Sequence, residues 1–443
     1  MLLVFWVTAC AGRAGSLIPA SSAQNGSSLA ATPEYLLRDA LPTPIQHVVI
    51  IFQENRTPDD LFQGLPGADI ATYGIDSNGN QVPLRSTSLA APWDLGHDHW
   101  SFVRDYDNGK MDGFDKGLPA SERLRPFAFA PASEVAPYQT MAKQYAFADR
   151  MFATNRGPSF PAHLYIVSGT AGDATMPGYL IRDNTFNGET GKGMAGGCDT
   201  PPTIITWTIR ISDGANGPSH RPCIDRPVLS DFLGAKHVTW RYYQQGAGAG
   251  LWHAFNAIGH VRNGKDFANV IPSPERFLTD VKNGQLAGVS WVMPADNWSD
   301  HPSVNGTARG PAWVAALVNA IGESKYWKST AILITWDDWG GFYDHVKPPT
   351  YNGVELGFRV PLVIVSPYAR TAYVSHVEHE FASLLVFTEK AFGIPKGSLS
   401  STDRRADDLF DSFDFTLPPR KFVPISAPPF KPGSRPGSSA EDP

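Results

Sequence analysis

Two adjacent carboxylates, Asp337 and Asp338, close the apolar run Ala331-Ile332-Leu333-Ile334-Thr335-Trp336 and lead into Gly340-Gly341-Phe342-Tyr343-Asp344-His345. Neighbouring carboxylates repel unless a cation or a proton intervenes. At the carboxyl end of a buried strand, where open α/β sheets place their active sites, the simplest such cation is a bound metal. A second place of this kind follows the apolar run at residues 47–52. There Gln53-Glu54-Asn55-Arg56-Thr57-Pro58-Asp59-Asp60 offers a carboxylate and an amide oxygen, donors that suit a hard metal ion. The competing reading is a helix start, with Asn55 or Thr57 capping ahead of Pro58.

A nucleophile is offered by Asn155-Arg156-Gly157-Pro158-Ser159-Phe160-Pro161-Ala162-His163, where Ser159 stands between two prolines on a stiff backbone. Metal coordination could activate its hydroxyl in place of a histidine base. A plain turn serine is the alternative. Neither Ser159 nor Ser168 lies in a Gly-x-Ser-x-Gly elbow, which argues against an α/β-hydrolase. Histidines recur beside aspartates: His97 and His99 around Asp98, His301 after Asp300, and His345 after Asp344. An aspartate can orient an imidazole that donates to a phosphate or a leaving group.

Elements able to carry these residues follow from patterning. Residues 47–52, 289–293, 331–335 and 360–365 read as buried strands, and 310–321 and 379–392 as helices. Alternation of this kind predicts an α/β fold with a parallel or mixed sheet flanked by helices. The chain has 443 residues, 42% hydrophobic, which suffices for a packed core. Its net charge of −6, with no long Lys/Arg run, gives no case for nucleic-acid binding. Residues 1–40 read as an export segment and tether. The stretch Leu2-Leu3-Val4-Phe5-Trp6-Val7-Thr8-Ala9-Cys10 resembles a bacterial lipoprotein signal with Cys10 as the lipidated residue, and plain secretion is the alternative. Either route predicts an exported protein: secreted, periplasmic or held at the cell surface through a lipid. In such a protein Cys198 and Cys223 are expected to be bridged, two free buried thiols being the alternative. The catalytic domain is expected over 41–425, with a Gly/Thr/Asn-rich insertion at about 176–250 and a disordered Pro/Ser/Gly-rich tail over 426–443.

Together these segments resemble the phosphoesterase family of bacterial and plant non-specific phospholipases C and a bacterial acid phosphatase. The family's Glu-Asn-Arg-Ser-Phe-Asp-His motif is similar to residues 54–60, its Gly-Pro-Thr/Ser-x-Pro loop to 157–161, and its Asp-Glu-His-Gly-Gly-Phe-Tyr-Asp-His segment to 337–345. Gly109-Lys110-Met111-Asp112-Gly113-Phe114, Gly357-Phe358-Arg359-Val360-Pro361 and Tyr373-Val374-Ser375-His376 also match. The resemblance implies a three-layer α/β/α sandwich around a mostly parallel sheet, like that of alkaline phosphatase, and hydrolysis of phosphate esters. It implies one divalent metal ion (Ca²⁺, Mg²⁺ or Mn²⁺) on Glu54, Asn55, Asp337 and Asp338, with Ser159 attacking phosphorus at that metal. His97, His301 and His345 would contact phosphate or assist the leaving group, and His99, Lys110 and His163 are further candidates for binding substrate. Asp338 stands where phospholipase members have Glu, Trp339 replaces a His, and Ala162-His163 replaces Asn-Arg. The Asp-Asp pair favours an acid-phosphatase-like phosphomonoesterase. A phospholipase C, favoured by an apolar rim from Phe160, Trp100 or Trp339, is the first rival. An inactive surface lipoprotein that binds a cation or phospho-ligand is the second.

Overall fold

The computed structural model describes residues 43–302 and 308–430. The proposed lipidation of Cys10, the 1–40 tether and the tail beyond residue 430 lie outside the described residues.

An eight-stranded sheet organises the chain. In chain order its strands are β1 (His47–Gln53), β2 (Ala146–Ala148), β3 (Trp240–Tyr243), β4 (Val270–Ile271), β5 (Val289–Val292), β6 (Thr330–Trp336), β7 (Leu362–Val365) and β8 (Tyr373–Ser375). Their spatial order is β4-β3-β5-β1-β6-β7-β2-β8. Only β7 runs against its neighbours β6 and β2; every other pairing is parallel. The central strands β1 and β6 are rich in Val, Ile and Leu, and nearly every residue in them is buried, as expected where both faces of a parallel sheet are covered.

The cover is visible residue by residue. On one face, Phe52 meets His163 of α3 (Ser159–Ser168) and Phe381 of α5 (Phe381–Phe392) edge-on, and Trp291 donates its indole N–H to Ile166 O. On the other, Trp336 packs against Tyr138 of α2 (Ala132–Gln144), and α2 packs against α4 (Gly310–Gly322). The expected three layers are therefore present.

Three expectations need correction. The insertion does not extend to residue 250, because Trp240–Tyr243 pairs with β5 as a strand of the main sheet. The strand near 360 begins at Leu362, since Pro361 lacks the N–H a ladder requires. Residues 427–430 of the expected tail are ordered against the core: Phe430 sits 4.8 Å from the Trp298 ring and 4.9 Å from Trp313, centroid to centroid. Within the insertion Cys198 and Cys223 are disulfide-bonded, as expected. No described helix is long and apolar enough to cross a membrane.

Candidate active site

Parallel pairing puts Gln53 beside Trp336, so β1 and β6 end together and release Glu54-Asn55 and Asp337-Asp338 side by side. The Asp337 N–H donates to Gln53 O at 3.0 Å, and the Asn55 N–H donates to Asp337 Oδ1 at 2.8 Å. Asn55 adopts a left-handed φ of 59°, which asparagine tolerates better than most residues. Gly340 and Gly341 let the opposite chain approach. A Cβ on Gly340 would meet Asn55 O at 2.5 Å, and one on Gly341 would meet Leu95 Cβ at 2.4 Å. Thr57 caps the short helix α1 (Pro58–Leu61), accepting from the Asp60 N–H at 3.1 Å. The capping reading of this motif therefore holds at Thr57, while Glu54 and Asn55 stand ahead of the cap at the strand end.

Ser159 opens α3 with Pro158 as its N-cap, where helical amides and the helix dipole favour an anion. Its hydroxyl donates to Glu54 Oε2 at 3.1 Å, and His163 Nε2 lies 3.0 Å from Glu54 Oε1. Glu54, Asn55, Ser159, Asp337 and Asp338 are all buried. Asn55 Oδ1 and Asp337 Oδ2 accept no hydrogen bond from the described residues, a costly arrangement unless something else takes their lone pairs. Asp338 uses Oδ1 to accept the Gly340 N–H at 2.7 Å. Glu54 and Asp337 bring carboxylate oxygens within 4.8 Å of each other, and with the Asn55 and Asp337 oxygens left without a partner among the described residues this donor set fits a hard divalent cation.

His97 and His301 lie beside this group with ring centroids 5.6 Å apart. Each Nδ1 faces a backbone carbonyl, Leu95 O at 2.7 Å and Pro302 O at 2.6 Å, so each Nδ1 carries its proton. With His97 neutral, its Nε2 accepts from Asn55 Nδ2 at 3.1 Å, which turns Asn55 Oδ1 away from the ring. Neighbouring aspartates do not orient these imidazoles as expected. Asp98 caps a helix through the Ser101 N–H, and Asp300 accepts from Tyr138 and Trp336. Burial pushes the Asp300 carboxyl up to about 6. Gln53 and Arg56 bond the backbone around Asp300 and so anchor the His301 loop to the end of β1.

The remaining candidates go elsewhere. His345 is held by Asp59 through Nδ1 at 2.8 Å and by Asp69 through Nε2 at 3.0 Å, beside the buried Arg359–Asp344 pair. Both ring nitrogens are thus committed to a network that ties three motifs together. Lys110 is 65% exposed and paired with Asp107. His163 lies under Glu54 and away from solvent, and burial holds its pKa well below the usual 6.5. His99 is tied to Arg156 O at 2.7 Å, and burial pushes its pKa down to about 4.

A cavity of about 510 Å³ opens beside His97 and Pro158. Its wall includes Trp100, Phe186 and Trp207, with Arg182 over the Trp100 ring at 4.9 Å. Trp100 is 51% exposed and Trp207 42%. The other two expected rim residues, Phe160 and Trp339, are buried. Sequence reasoning missed Asp94, whose carboxylate comes within 4.0 Å of His301 Nε2; its place three residues before His97 was the available signal. It also missed Arg182 and Trp207, which no local pattern marks because the insertion delivers them.

The model of the Phosphoesterase family matches residues 45–395, and the chain belongs to that family. Its chemistry is the hydrolysis of phosphoric esters. Phospholipase C B of Mycobacterium tuberculosis is 25% identical over 449 residues, covering 86% of this chain and 80% of the relative. Non-specific phospholipase C1 of Arabidopsis thaliana is 25% identical over 459 residues, covering 90% and 76%. Hemolytic phospholipase C of Pseudomonas aeruginosa is 24% identical over 459 residues, covering 88% of this chain and 58% of the relative. Among solved structures, a protein in the alkaline phosphatase superfamily from Vibrio parahaemolyticus is similar with a TM-score of 0.39 and 11% identity, covering 83% of this chain and 71% of that one.

Proposed function

We propose that this chain is an exported, cation-dependent phosphoesterase that uses Ser159 as its nucleophile. One observation carries the reading: Asn55 Oδ1 and Asp337 Oδ2, buried without a hydrogen-bond partner among the described residues, stand with the Glu54 carboxylate that already accepts the Ser159 hydroxyl. Glu54, Asn55, Asp337, Asp338 and Ser159 would hold the cation, which would supply positive charge to the serine oxygen and the phosphoryl oxygens. Ser159 Oγ attacks phosphorus while its proton passes to Glu54 Oε2, on which it already lies. The bond to the leaving oxygen breaks, with His301 Nε2, beside Asp94, to donate to the departing oxygen from its protonated form, while His97 holds Asn55 in place. Water then cleaves the phosphoserine, and Ser159 recovers its proton.

The substrate favoured is a phospholipid diester cleaved as by phospholipase C, in preference to a small monoester. The three relatives above carry that name, and the cavity lined by His97 and by Pro158, the residue before Ser159, leaves room for a substituent beyond the phosphate. The exposed Trp100 and Trp207 supply an apolar rim. The test is a panel of phosphatidylcholine and p-nitrophenyl phosphate, each with Ca²⁺, Mg²⁺ or Mn²⁺, on the wild-type chain and Ser159→Ala. Cation-dependent lipid turnover lost in the variant is expected. Full activity in Ser159→Ala would refute the nucleophile, and turnover of the monoester alone would refute the lipid substrate.

A further inference from the structure

His163 stands one turn after Ser159 on α3, and residues four apart on a helix share a face. The two side chains divide the Glu54 carboxylate between them: Ser159 Oγ reaches Oε2 at 3.1 Å and His163 Nε2 reaches Oε1 at 3.0 Å. Phe52, two residues before Glu54, holds the imidazole edge-on at 4.8 Å. The ring is fully buried, and its Nδ1 has no hydrogen-bond partner in the described residues. A buried nitrogen left this way costs stability that an apolar residue of the same volume would not. Packing alone therefore gives no reason for an imidazole here.

We infer that His163 is a positioning residue: its Nε2–H holds Glu54 Oε1 and thereby turns Oε2, with Ser159 on it, toward Asn55 Oδ1 and Asp337 Oδ2. His97 orients Asn55 by the opposite contact, its Nε2 accepting from the Asn55 Nδ2, so two of the oxygen donors are aimed by imidazoles that need not touch the cation. The inference rests on the cation site proposed above. Loss of such an orienting partner lowers metal affinity by roughly 10–100-fold.

The experiment compares His163→Gln with His163→Asn in the full chain. Glutamine can put an amide N–H where Nε2 lies, whereas asparagine stops short. Both are neutral amides, so a burden of burying an amide is common to the two. Mn²⁺ and Ca²⁺ affinities are measured by calorimetric titration, and the thermal midpoint of each variant is measured in EDTA. The glutamine variant is expected within about 3-fold of wild-type affinity and the asparagine variant roughly 10–100-fold weaker, with similar metal-free midpoints. Wild-type affinity in His163→Asn, or weak binding by His163→Gln, overturns the inference. A lowered midpoint for His163→Asn with unchanged affinity also overturns it, since the residue would then serve folding alone. Should His163→Asn not fold, His163→Gln decides by itself. A wild-type chain that binds neither cation overturns the cation site itself.

Discussion

Asp337→Asn separates cation binding from folding. The amide keeps an oxygen for the Asn55 N–H, now received by Asp337 Oδ1 at 2.8 Å, and removes the charge of a carboxylate whose Oδ2 has no partner in the described residues. Without metal, the variant should unfold within about 1 kcal/mol of wild type, because the hydrogen bond from the Asn55 N–H survives. With metal the two should diverge. A ligand at 100 times its Kd stabilises the folded chain by about 2.7 kcal/mol. If loss of one charged donor weakens binding about 100-fold, the upper end for partners that only orient a ligand, the same concentration stabilises the variant by about 0.4 kcal/mol. At ~2.1 cal/mol/K per residue over 443 residues, those energies correspond to shifts of about 3 °C and about 0.4 °C. Scanning calorimetry with EDTA and with each of Ca²⁺, Mg²⁺ and Mn²⁺ reads both numbers. An equal metal-induced rise in wild type and Asp337→Asn would refute the placement of the cation at this strand end.

Three further outcomes are expected. Trp100→Ala should lower kcat/KM for phosphatidylcholine by roughly 10-fold or more while changing p-nitrophenyl phosphate turnover far less, because a pocket wall discriminates by about 1–3 kcal/mol; paired assays on the two substrates check it. Gly340→Ala should cost on the order of 2 kcal/mol and weaken cation binding, since φ is +61° and the new Cβ would meet Asn55 O at 2.5 Å; denaturant melts and metal titration read the two effects. Burial disfavours a charged His345, yet the Asp59 carboxylate more than offsets this and holds its pKa above the usual 6.5. The stability gained is then fully present below pH 6.5 and lost as pH rises through the folded pKa. His345→Gln should remove that pH-dependent part, so that its stability deficit against wild type is larger at pH 6 than at pH 9, as melts at the two pH values would show.

The sequence carried the strand-end carboxylates, the proline-flanked serine and four of the eight strands of the main sheet, because each is written in a short window. A continuous Val/Ile run buries both faces, and a carboxylate after it must leave the sheet at its end. Partnership was not legible in this way. Asp98-His99, Asp300-His301 and Asp344-His345 look alike as strings. Yet Asp98 caps a helix, Asp300 anchors a loop through Tyr138 and Trp336, and Asp344 serves Arg359. His345 finds Asp59, 286 positions away, and His163 finds Glu54 across 109. Sequence by itself determined which residue types could bind a cation and attack phosphorus, since that depends on their own chemistry. The tertiary structure alone decided which of them meet. It did so because the parallel register of β1 and β6, and the docking of α3 over that edge, set distances of a few ångströms between residues far apart in the chain.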